Sequence, residues 1–154
     1  MTRKNEVAFR WIVTLLRKHK VPFCVSGGLA ARIYGSKRPL ADIDIEIADK
    51  GFEKILPEIQ KYVTYGPKRY KDTTYNLLLI TLHYVGQEID LCGADSSSLF
   101  NHTTKKWIQE KIPLVEAPKK KVFGMIVPII PREYLIYYKK VIGDTRDKEI
   151  SSEI

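Results

Sequence analysis

The sequence predicts a mixed α/β (α+β) domain in which a β-sheet of at least four strands is flanked by helices. Three observations lead to this prediction. Amphipathic segments with helical spacing alternate with short apolar runs, the segment ADIDIEIAD alternates strictly between polar and apolar residues, and two apolar runs flank Gly86. The chain has 154 residues, which suits one domain, so we expect a single domain over 1–154 with C-terminal helices over about 131–154.

The N-terminal elements follow from residue spacing and from the residues that end each element. Residues 5–19 have the pattern of an amphipathic helix, which Pro22 prevents from continuing into the apolar run VPFCVS. That run is predicted to be a buried strand, after which Gly27-Gly28 turn the chain into a short helix, LAARIYG. ADIDIEIAD is the clearest strand. Residues 51–63 are again helical, in one piece or in two because of Pro57.

The C-terminal half predicts a hairpin, two short strands and two helices. TTYNLLLITLHYV and QEIDLCG flank the turn at Gly86, and Asp95 or Ser96 fits the cap of a short helix. PLVEAPKKKVFGMIVPII alternates like two short strands around a lysine-rich turn. PREYLIYYKKVIG is a helix with Pro131 in its first turn, and DTRDKEISSEI starts another helix with Asp144 as its N-cap.

Composition and charge narrow the class of function. No apolar run reaches the roughly 20 residues of a membrane span, and residues 1–20 lack the pattern of a secretory signal. We therefore expect a cytoplasmic protein with no membrane partner. The formal net charge of +8 attracts anions such as nucleotides or nucleic acid, although a lysine-rich soluble surface would give the same value. The cysteines and histidines have no metal-binding spacing, so any metal is expected on carboxylates, which favours Mg²⁺ or Mn²⁺.

The alternating strand carries the first candidate site. Side chains two residues apart share one face of a strand, so Asp42, Asp44 and Glu46 point to one side and the intervening isoleucines point into the core. The Cα atoms of the two aspartates are then roughly 6–7 Å apart, a spacing at which carboxylates converge on one or two divalent ions. An edge strand with a solvated acidic face would show the same pattern.

A glycine turn and a basic pair precede that strand. Ser26, Gly27 and Gly28 lie between a strand and the start of a helix, where free backbone N–H groups attract phosphate. Lys37 and Arg38 follow, and their charges are suited to a phosphate chain.

Asp90 is the third acidic candidate. In QEIDLCG it shares a strand face with Glu88 and Cys92, and an acid within an apolar strand requires a partner or an ion. A salt bridge to one of the many lysines is the alternative to a metal site.

A Gly-Gly turn, a D-x-D strand and a later acid together resemble the DNA polymerase beta-like nucleotidyltransferase superfamily. The resemblance is strongest to the small branch that includes lincosamide, aminoglycoside and abortive-infection-type nucleotidyltransferases. GGLA at 27–30, Arg38 before the D-I-D segment, and YYKKVIGDTRDKEI near the C-terminus fit that branch. The resemblance implies a nucleotidyltransferase-like mixed sheet and an enzyme that transfers a nucleoside monophosphate from a nucleoside triphosphate, such as ATP, to a hydroxyl acceptor, releasing pyrophosphate.

The resemblance also implies roles for particular residues. Asp42, Asp44 and Asp90 would be catalytic and would bind two Mg²⁺ or Mn²⁺ ions. The nucleotide would be bound by Ser26, Gly27, Gly28, Lys37, Arg38 and Lys140. The acceptor would be a small molecule, a tRNA or a protein. Two alternatives are a catalytically degenerate module of the same fold that binds nucleotide, RNA or a partner protein, and an unrelated basic nucleic-acid-binding domain.

Three further segments have two interpretations each. The run at 119–121 is a solvated lysine-rich hairpin tip or a contact for RNA. The aromatic and basic residues from Tyr65 to Tyr75 suit base stacking, or form an exposed loop and strand edge. The tyrosines at 134, 137 and 138 are helix core with hydrated hydroxyls, or a platform for a base.

Overall fold

A computed structural model describes residues 1–151, which form a seven-stranded mixed sheet, a separate two-stranded hairpin and flanking helices. The helices are α1 (Arg3–Lys18), α2 (Gly27–Ile33), α3 (Gly51–Ile59), α4 (Arg132–Ile142) and α5 (Lys148–Ser151), with a 3₁₀ helix at Gln60–Tyr62. The strands are β1 (Phe23–Ser26), β2 (Ile43–Ile47), β3 (Val63–Lys71), β4 (Tyr75–Tyr84), β5 (Gln87–Gly93), β6 (Ser98–Phe100), β7 (Trp107–Gln109), β8 (Lys119–Val122) and β9 (Met125–Pro128). The mixed α+β class predicted from the sequence is confirmed.

The sheet has the strand order β1-β2-β5-β4-β6-β7, and β3 pairs with β4. β2 and β5 run parallel, whereas the other strand pairs of this sheet are antiparallel. β8 and β9 form the hairpin, which continues toward β1 through a parallel bridge between Val25 and Ile129. β2 therefore lies between β1 and β5, in the interior of the sheet rather than at an edge.

One face of the sheet packs on the N-terminal helix. Ile43, Ile45 and Ile47 are fully buried there, which confirms that the isoleucines of the alternating strand belong to the core. On the same side, Trp11 of α1 stacks on Tyr84 of β4 with ring centroids 4.0 Å apart. Because alternate residues of a strand face opposite ways, the acidic residues of β2 are directed to the other face.

Most predicted elements are confirmed, with boundaries shifted by a few residues. The predicted helix at 5–19, the strand VPFCVS and the hairpin around Gly86 correspond to α1, β1 and the β4–β5 pair. α3 continues through Pro57 without a break and is followed directly by the 3₁₀ helix. The segment is therefore in two pieces, but they divide after Ile59 and not at the proline.

The predicted helix cap at Asp95 or Ser96 is wrong. No helix begins at these residues, and the next element is strand β6. Both side chains bind Asp49 instead: Asp95 accepts a hydrogen bond from the Asp49 backbone N–H at 2.8 Å, and the Ser96 hydroxyl donates to the Asp49 carboxylate at 2.7 Å. The polar run DSSS thus fixes a loop between neighbouring strands.

Two further expectations near the C-terminus are wrong. The lysines at 119–121 lie in β8, exposed, and the hairpin turn is formed by Phe123 and Gly124, both with positive φ. The last helix starts at Lys148, so Asp144 is not its N-cap; its carboxylate instead accepts hydrogen bonds from the backbone and side chain of Arg146. The predicted C-terminal helices over 131–154 are present up to residue 151, and residues 152–154 lie outside the described range.

β3 is a strand that the sequence analysis did not predict, although it named a strand edge for part of it. Its residues alternate poorly because only one neighbour, β4, pairs with it and most of its side chains are exposed. Within residues 1–151, every helix is too short or too polar to cross a membrane.

Candidate active site

The register of the central strands brings the predicted acidic residues together. Asp44 of β2 stands opposite Asp90 of the parallel strand β5. Ser26 of β1 is the neighbour of Asp44 on its other side, and Thr81 of β4 is the neighbour of Asp90. One row across four strands is therefore Ser-Asp-Asp-Thr, on the sheet face away from α1.

Asp42 and Glu88 lie two residues before Asp44 and Asp90, on the same face and toward the N-terminal ends of β2 and β5. Carboxylate oxygens of Asp42, Glu88 and Asp90 all lie within 4.8 Å of one another, close enough to hold one cation together. The predicted metal set contained Asp44 rather than Glu88. The structure thus adds Glu88, which the strand alternation had already placed on the same face as Asp90.

Asp44 is held by the glycine turn. Its carboxylate accepts a hydrogen bond from the backbone N–H of Gly28, and it packs so closely on Gly27 that a Cβ there would overlap it. Gly27 also has φ of +57°, a conformation that favours glycine. The Gly-Gly turn therefore positions the central aspartate, and its predicted binding of phosphate stays a prediction.

The pKa values of these carboxyl groups are raised because they are buried beside one another. Burial, with the charges of Asp90 and Asp42, raises the pKa of Asp44 to about 7. Burial also raises the pKa of Asp90, partly offset by the Thr81 hydroxyl, which donates to it at 2.7 Å. The ion pairs found within residues 1–151 include none to Asp42, Asp44 or Asp90, so the alternative of a lysine salt bridge at Asp90 is not realised.

A second pair of carboxylates lines the same cleft. Glu46 lies two residues beyond Asp44, and burial, with the charges of Glu110 and Asp44, raises its pKa well above the usual range. Its Oε1 accepts a long hydrogen bond of 3.4 Å from the Ser26 hydroxyl, and its buried Oε2 has no hydrogen-bond partner among the described residues. Glu110 accepts a hydrogen bond of 2.5 Å from the Tyr134 hydroxyl. This pair has no cationic partner within residues 1–151.

The acidic sheet face and helix α4 form the two walls of a cleft of about 410 Å³. Ser26, Gly27, Gly28, Arg38, Asp42, Asp44 and Asp90 line it, so the structure brings seven of the nine predicted site residues to one cavity. Lys37 and Lys140 are exposed and do not line it, and their predicted role in nucleotide binding stays a prediction. Lys139, next to the predicted Lys140, faces the cleft instead.

Aromatic residues close the cleft on the side of β3 and α4. Tyr70 and Tyr75, from the interleaved aromatic and basic segment, line it together with Tyr134 and Tyr138. The hydroxyls of Tyr75 and Tyr138 are 2.5 Å apart, so these two rings bridge the sheet to α4. Tyr137 is half exposed and does not line the cleft.

The model of the aminoglycoside-2″-adenylyltransferase family matches residues 8–152 of this chain. The chain belongs to that family. The match spans the acidic strands, the glycine turn and α4, which together make the cleft. It confirms the resemblance to the lincosamide and aminoglycoside branch of nucleotidyltransferases. A comparison with curated protein sequences finds no match.

Solved structures of nucleotidyltransferases share the fold of this family member. The Thermotoga maritima protein TM1012, assigned as a nucleotidyltransferase, is 20% identical with a TM-score of 0.74, over 99% of this chain and 94% of its own. The lincosamide adenylyltransferase LnuA with lincomycin bound is 16% identical, with a TM-score of 0.58 over 100% and 99% of the two chains. ANT(2″)-Ia in complex with adenylyl-2″-tobramycin is 14% identical, with a TM-score of 0.60 over 97% and 88%.

Five charged residues that line the cleft were not selected as site residues from the sequence: Glu46, Glu110, Lys139, Asp144 and Arg146. Glu46 was visible in the D-I-D-I-E alternation, since it shares the face of the two aspartates. Glu110, Lys139 and Arg146 come from segments far along the chain and enter the cleft only through tertiary packing. Lys139 and Arg146 lie in the segment YYKKVIGDTRDKEI, which resembles the family but did not mark either as a site residue, and no local pattern distinguishes Glu110.

Proposed function

We propose that this chain transfers a nucleoside monophosphate from a nucleoside triphosphate to a hydroxyl group, with release of pyrophosphate. The proposal is carried by one observation: the parallel register of β2 and β5 gathers Asp42, Asp44 and Asp90 in a cleft that begins at a Gly-Gly turn, with Glu88 beside Asp42 and Asp90. Membership of the adenylyltransferase family supports it and favours ATP as the donor.

The carboxylates fit a hard divalent cation. Neighbouring carboxylates without a counter-charge repel one another, and burial together with this repulsion raises the pKa values of Asp44, Glu88 and Asp90. An all-oxygen donor set suits Mg²⁺ or Mn²⁺. Asp42, Glu88 and Asp90 would hold one ion, and Asp44 would contribute to it or to a second ion. A cation bound there neutralises charge on the triphosphate and makes an acceptor hydroxyl easier to deprotonate.

The protein's own groups position the donor and take up a proton. The triphosphate would lie along Ser26, Gly27 and Gly28, with Arg38 at its side. The acceptor oxygen forms a bond to the α-phosphorus while the bond from that phosphorus to the bridging oxygen breaks, and pyrophosphate leaves. The hydroxyl proton would pass to the carboxylate of Asp90, whose other oxygen is held by the Thr81 hydroxyl.

The part of the cleft around Glu46 and Glu110 suits an acceptor that carries an ammonium group. Glu46 and Glu110 place two carboxylates there, and the buried Oε2 of Glu46 lacks a hydrogen-bond donor among the described residues. A charged amine of the acceptor would supply both the donor and the counter-charge. Relatives of similar fold bind lincomycin or adenylyl-2″-tobramycin, which supports a small hydroxyl compound rather than a tRNA or protein.

Pyrophosphate release tests the proposal. Each of the four nucleoside triphosphates is supplied with Mg²⁺ or Mn²⁺ and with hydroxyl compounds that either carry or lack an amine, and total tRNA is included. We expect pyrophosphate release with ATP. Asp42→Asn and Asp90→Asn should each lower the rate of release by at least about 1,000-fold, because each removes a carboxylate that would hold the cation beside the reacting phosphate. Glu53→Gln, which changes an exposed acid on α3, is the matched control.

Equal activity in the wild type and in both aspartate variants would contradict the proposal. Binding of nucleotide without turnover across the whole panel would favour the degenerate binding module instead. The acceptor part is tested by Glu46→Gln, which should raise KM for the amine-bearing acceptor by about tenfold while leaving KM for ATP unchanged.

A further inference from the structure

A buried lysine connects helix α4 to the C-terminal segment. The Lys139 side chain is 5% exposed, and its ammonium lies 2.5 Å from Asp147 Oδ2 and 3.4 Å from Asp144 Oδ2. Although burial alone would raise it, hydrogen bonds from Lys139 and Ser36 lower the pKa of Asp147, so this carboxylate is ionised. We call Lys139, Asp144 and Asp147 the lysine hub.

Each aspartate of the lysine hub also holds one arginine. Asp144 accepts from Nε and Nη2 of Arg146, both at 2.9 Å, which is a two-point contact. Asp147 Oδ2 lies 3.4 Å from Nη1 of Arg38. Asp147 Oδ1 accepts from the Ser36 hydroxyl at 2.6 Å, and that hydroxyl accepts from the Arg38 backbone N–H at 3.2 Å. The lysine hub therefore fixes Arg38 through both its side chain and its backbone.

Both arginines line the cleft that contains the acidic residues, although they come from positions more than 100 residues apart. Their side chains are 36% and 70% exposed, whereas the carboxylates that hold them are buried, at 2% for Asp147 and 8% for Asp144. One carboxylate would suffice to pair Lys139 and attach the C-terminal segment to α4. The second carboxylate and the two arginines add two directed guanidinium groups at the cleft wall.

We propose that the lysine hub positions Arg38 and Arg146 as a two-armed clamp for the phosphates of the nucleoside triphosphate. The inference rests on the proposed function, because it needs a triphosphate in the cleft. Guanidinium groups bind phosphate oxygens through parallel N–H donors, and holding them in place before binding lowers the entropy lost on binding. Lys139 acts in this arrangement as a positioning residue, through the aspartates, rather than by contact with the nucleotide.

A double-mutant cycle between Asp147 and Arg38 tests the clamp. Binding of ATP and of AMP, each with Mg²⁺, is measured by calorimetry for the wild type, Asp147→Asn, Arg38→Gln and the double variant. We expect each single variant to weaken ATP binding by about tenfold, with AMP binding changed by less than about twofold, because AMP lacks the β- and γ-phosphates. In the Arg38→Gln background, Asp147→Asn should add almost nothing, because the arginine it positions is gone.

The second arm has its own variant and the same control. Asp144→Asn releases Arg146 while Lys139 keeps Asp147, and it should also weaken ATP binding selectively. Lys148→Gln, an exposed charge beside Asp147, should leave both affinities unchanged. Circular dichroism at the assay temperature establishes that each variant is folded. If Asp147→Asn does not fold, Asp144→Asn tests the clamp in its place.

The outcomes separate the inference from the proposed function. Equal weakening of ATP and AMP in the variants, or additive effects in the cycle, would show a merely structural hub and overturn the clamp. A wild type that binds ATP, with hub variants that bind it equally well, would overturn the clamp alone. A wild type that binds no triphosphate would overturn the proposed function, and the clamp with it.

Discussion

Two groups of carboxylates lie in or beside the same cleft, and their pKa values are shifted in opposite directions. On the sheet, Asp44 and Asp90 are buried beside other acids, and their pKa values are raised. In the lysine hub, Asp144 and Asp147 are paired with Lys139 and with arginines, and their pKa values are lowered. The difference separates acids that have protein cations as partners from acids that have none within the described residues.

This contrast indicates what each group is for. Paired carboxylates hold segments together, because removal of one partner leaves a buried charge uncompensated. Carboxylates that raise one another's pKa destabilise the fold and persist where a cation or a proton is bound during function. The sheet acids thus have the properties expected of cation ligands. The hub acids have the properties expected of residues that hold segments of the chain together.

The largest expected difference between the two groups is in stability. Asp147→Asn should lower the free energy of unfolding by about 3 kcal/mol, because it leaves the Lys139 ammonium with one carboxylate in a buried position. Asp44→Asn should raise that free energy at pH 8 in the presence of a chelator, because it removes a buried charge that Asp90 repels and keeps an acceptor for the Gly28 N–H.

Urea denaturation followed by circular dichroism measures both changes. Lys148→Gln and Glu53→Gln, which change exposed charges, are the matched controls and should shift the unfolding free energy by less than about 0.5 kcal/mol. A loss of stability of similar size in Asp44→Asn and Asp147→Asn would remove the distinction between the two groups.

The fold was predictable where local patterns determine it. The strict alternation over 41–49 predicted β2, and the turn at Gly86 predicted the β4–β5 hairpin. β3 escaped prediction because its exposed side chains leave no hydrophobic period, and β6 escaped because three residues are too few to show one. The cap expected at Asp144 failed because a tertiary partner, Lys139, and a local one, Arg146, bind its carboxylate.

The site was predictable as far as one strand determines it. Asp42, Asp44 and Glu46 share a face by strand geometry alone, and Asp90 was found as an acid in an apolar strand. The register that sets Asp44 opposite Asp90 depends on how β2 and β5 pair, which no local pattern encodes. The lysine hub lies within residues 139–147, but its link to Ser36 and Arg38 spans more than 100 residues, so sequence spacing could not reveal that link.

Addition of a divalent cation should stabilise the folded protein through the acids of the sheet and should not act through the lysine hub. At a concentration about 100 times its Kd, Mg²⁺ or Mn²⁺ should raise the free energy of unfolding by about 2.7 kcal/mol, because it binds the folded chain alone. Asp90→Asn should lose most of this gain, since it removes one of the three clustered carboxylates.

Thermal unfolding with a metal titration measures the effect, with Lys148→Gln as a variant that should respond like the wild type. A wild type whose melting temperature is unchanged at millimolar Mg²⁺ and Mn²⁺ would contradict the assignment of the sheet acids as a cation site. A full metal response in Asp90→Asn would place the site elsewhere.

The effect that is smallest per pH unit, and most specific to one residue, is the pH dependence of stability without metal. The pKa of Asp44 is about 7 in the folded chain, whereas aspartates of an unfolded chain titrate near about 3.9. The folded state therefore binds the proton more tightly between these values. Its contribution to stability is fully present below about pH 4 and is lost as the pH rises to 7, by at most about 1.4 kcal/mol per pH unit.

The hub acids have the opposite sign and a different window. Their lowered pKa values contribute stability that is present above about pH 4 and is lost on acidification, so they add no slope between pH 5 and 7. Urea denaturation from pH 5 to 8 with a chelator should therefore show a shallower decline in Asp44→Asn than in the wild type. Asp144→Asn should decline in parallel with the wild type. Equal slopes of unfolding free energy against pH in the wild type and Asp44→Asn would contradict this prediction, because they would mean that Asp44 is already ionised at pH 5. The repulsion from its acidic neighbours on the sheet would then be offset by something other than a proton on Asp44.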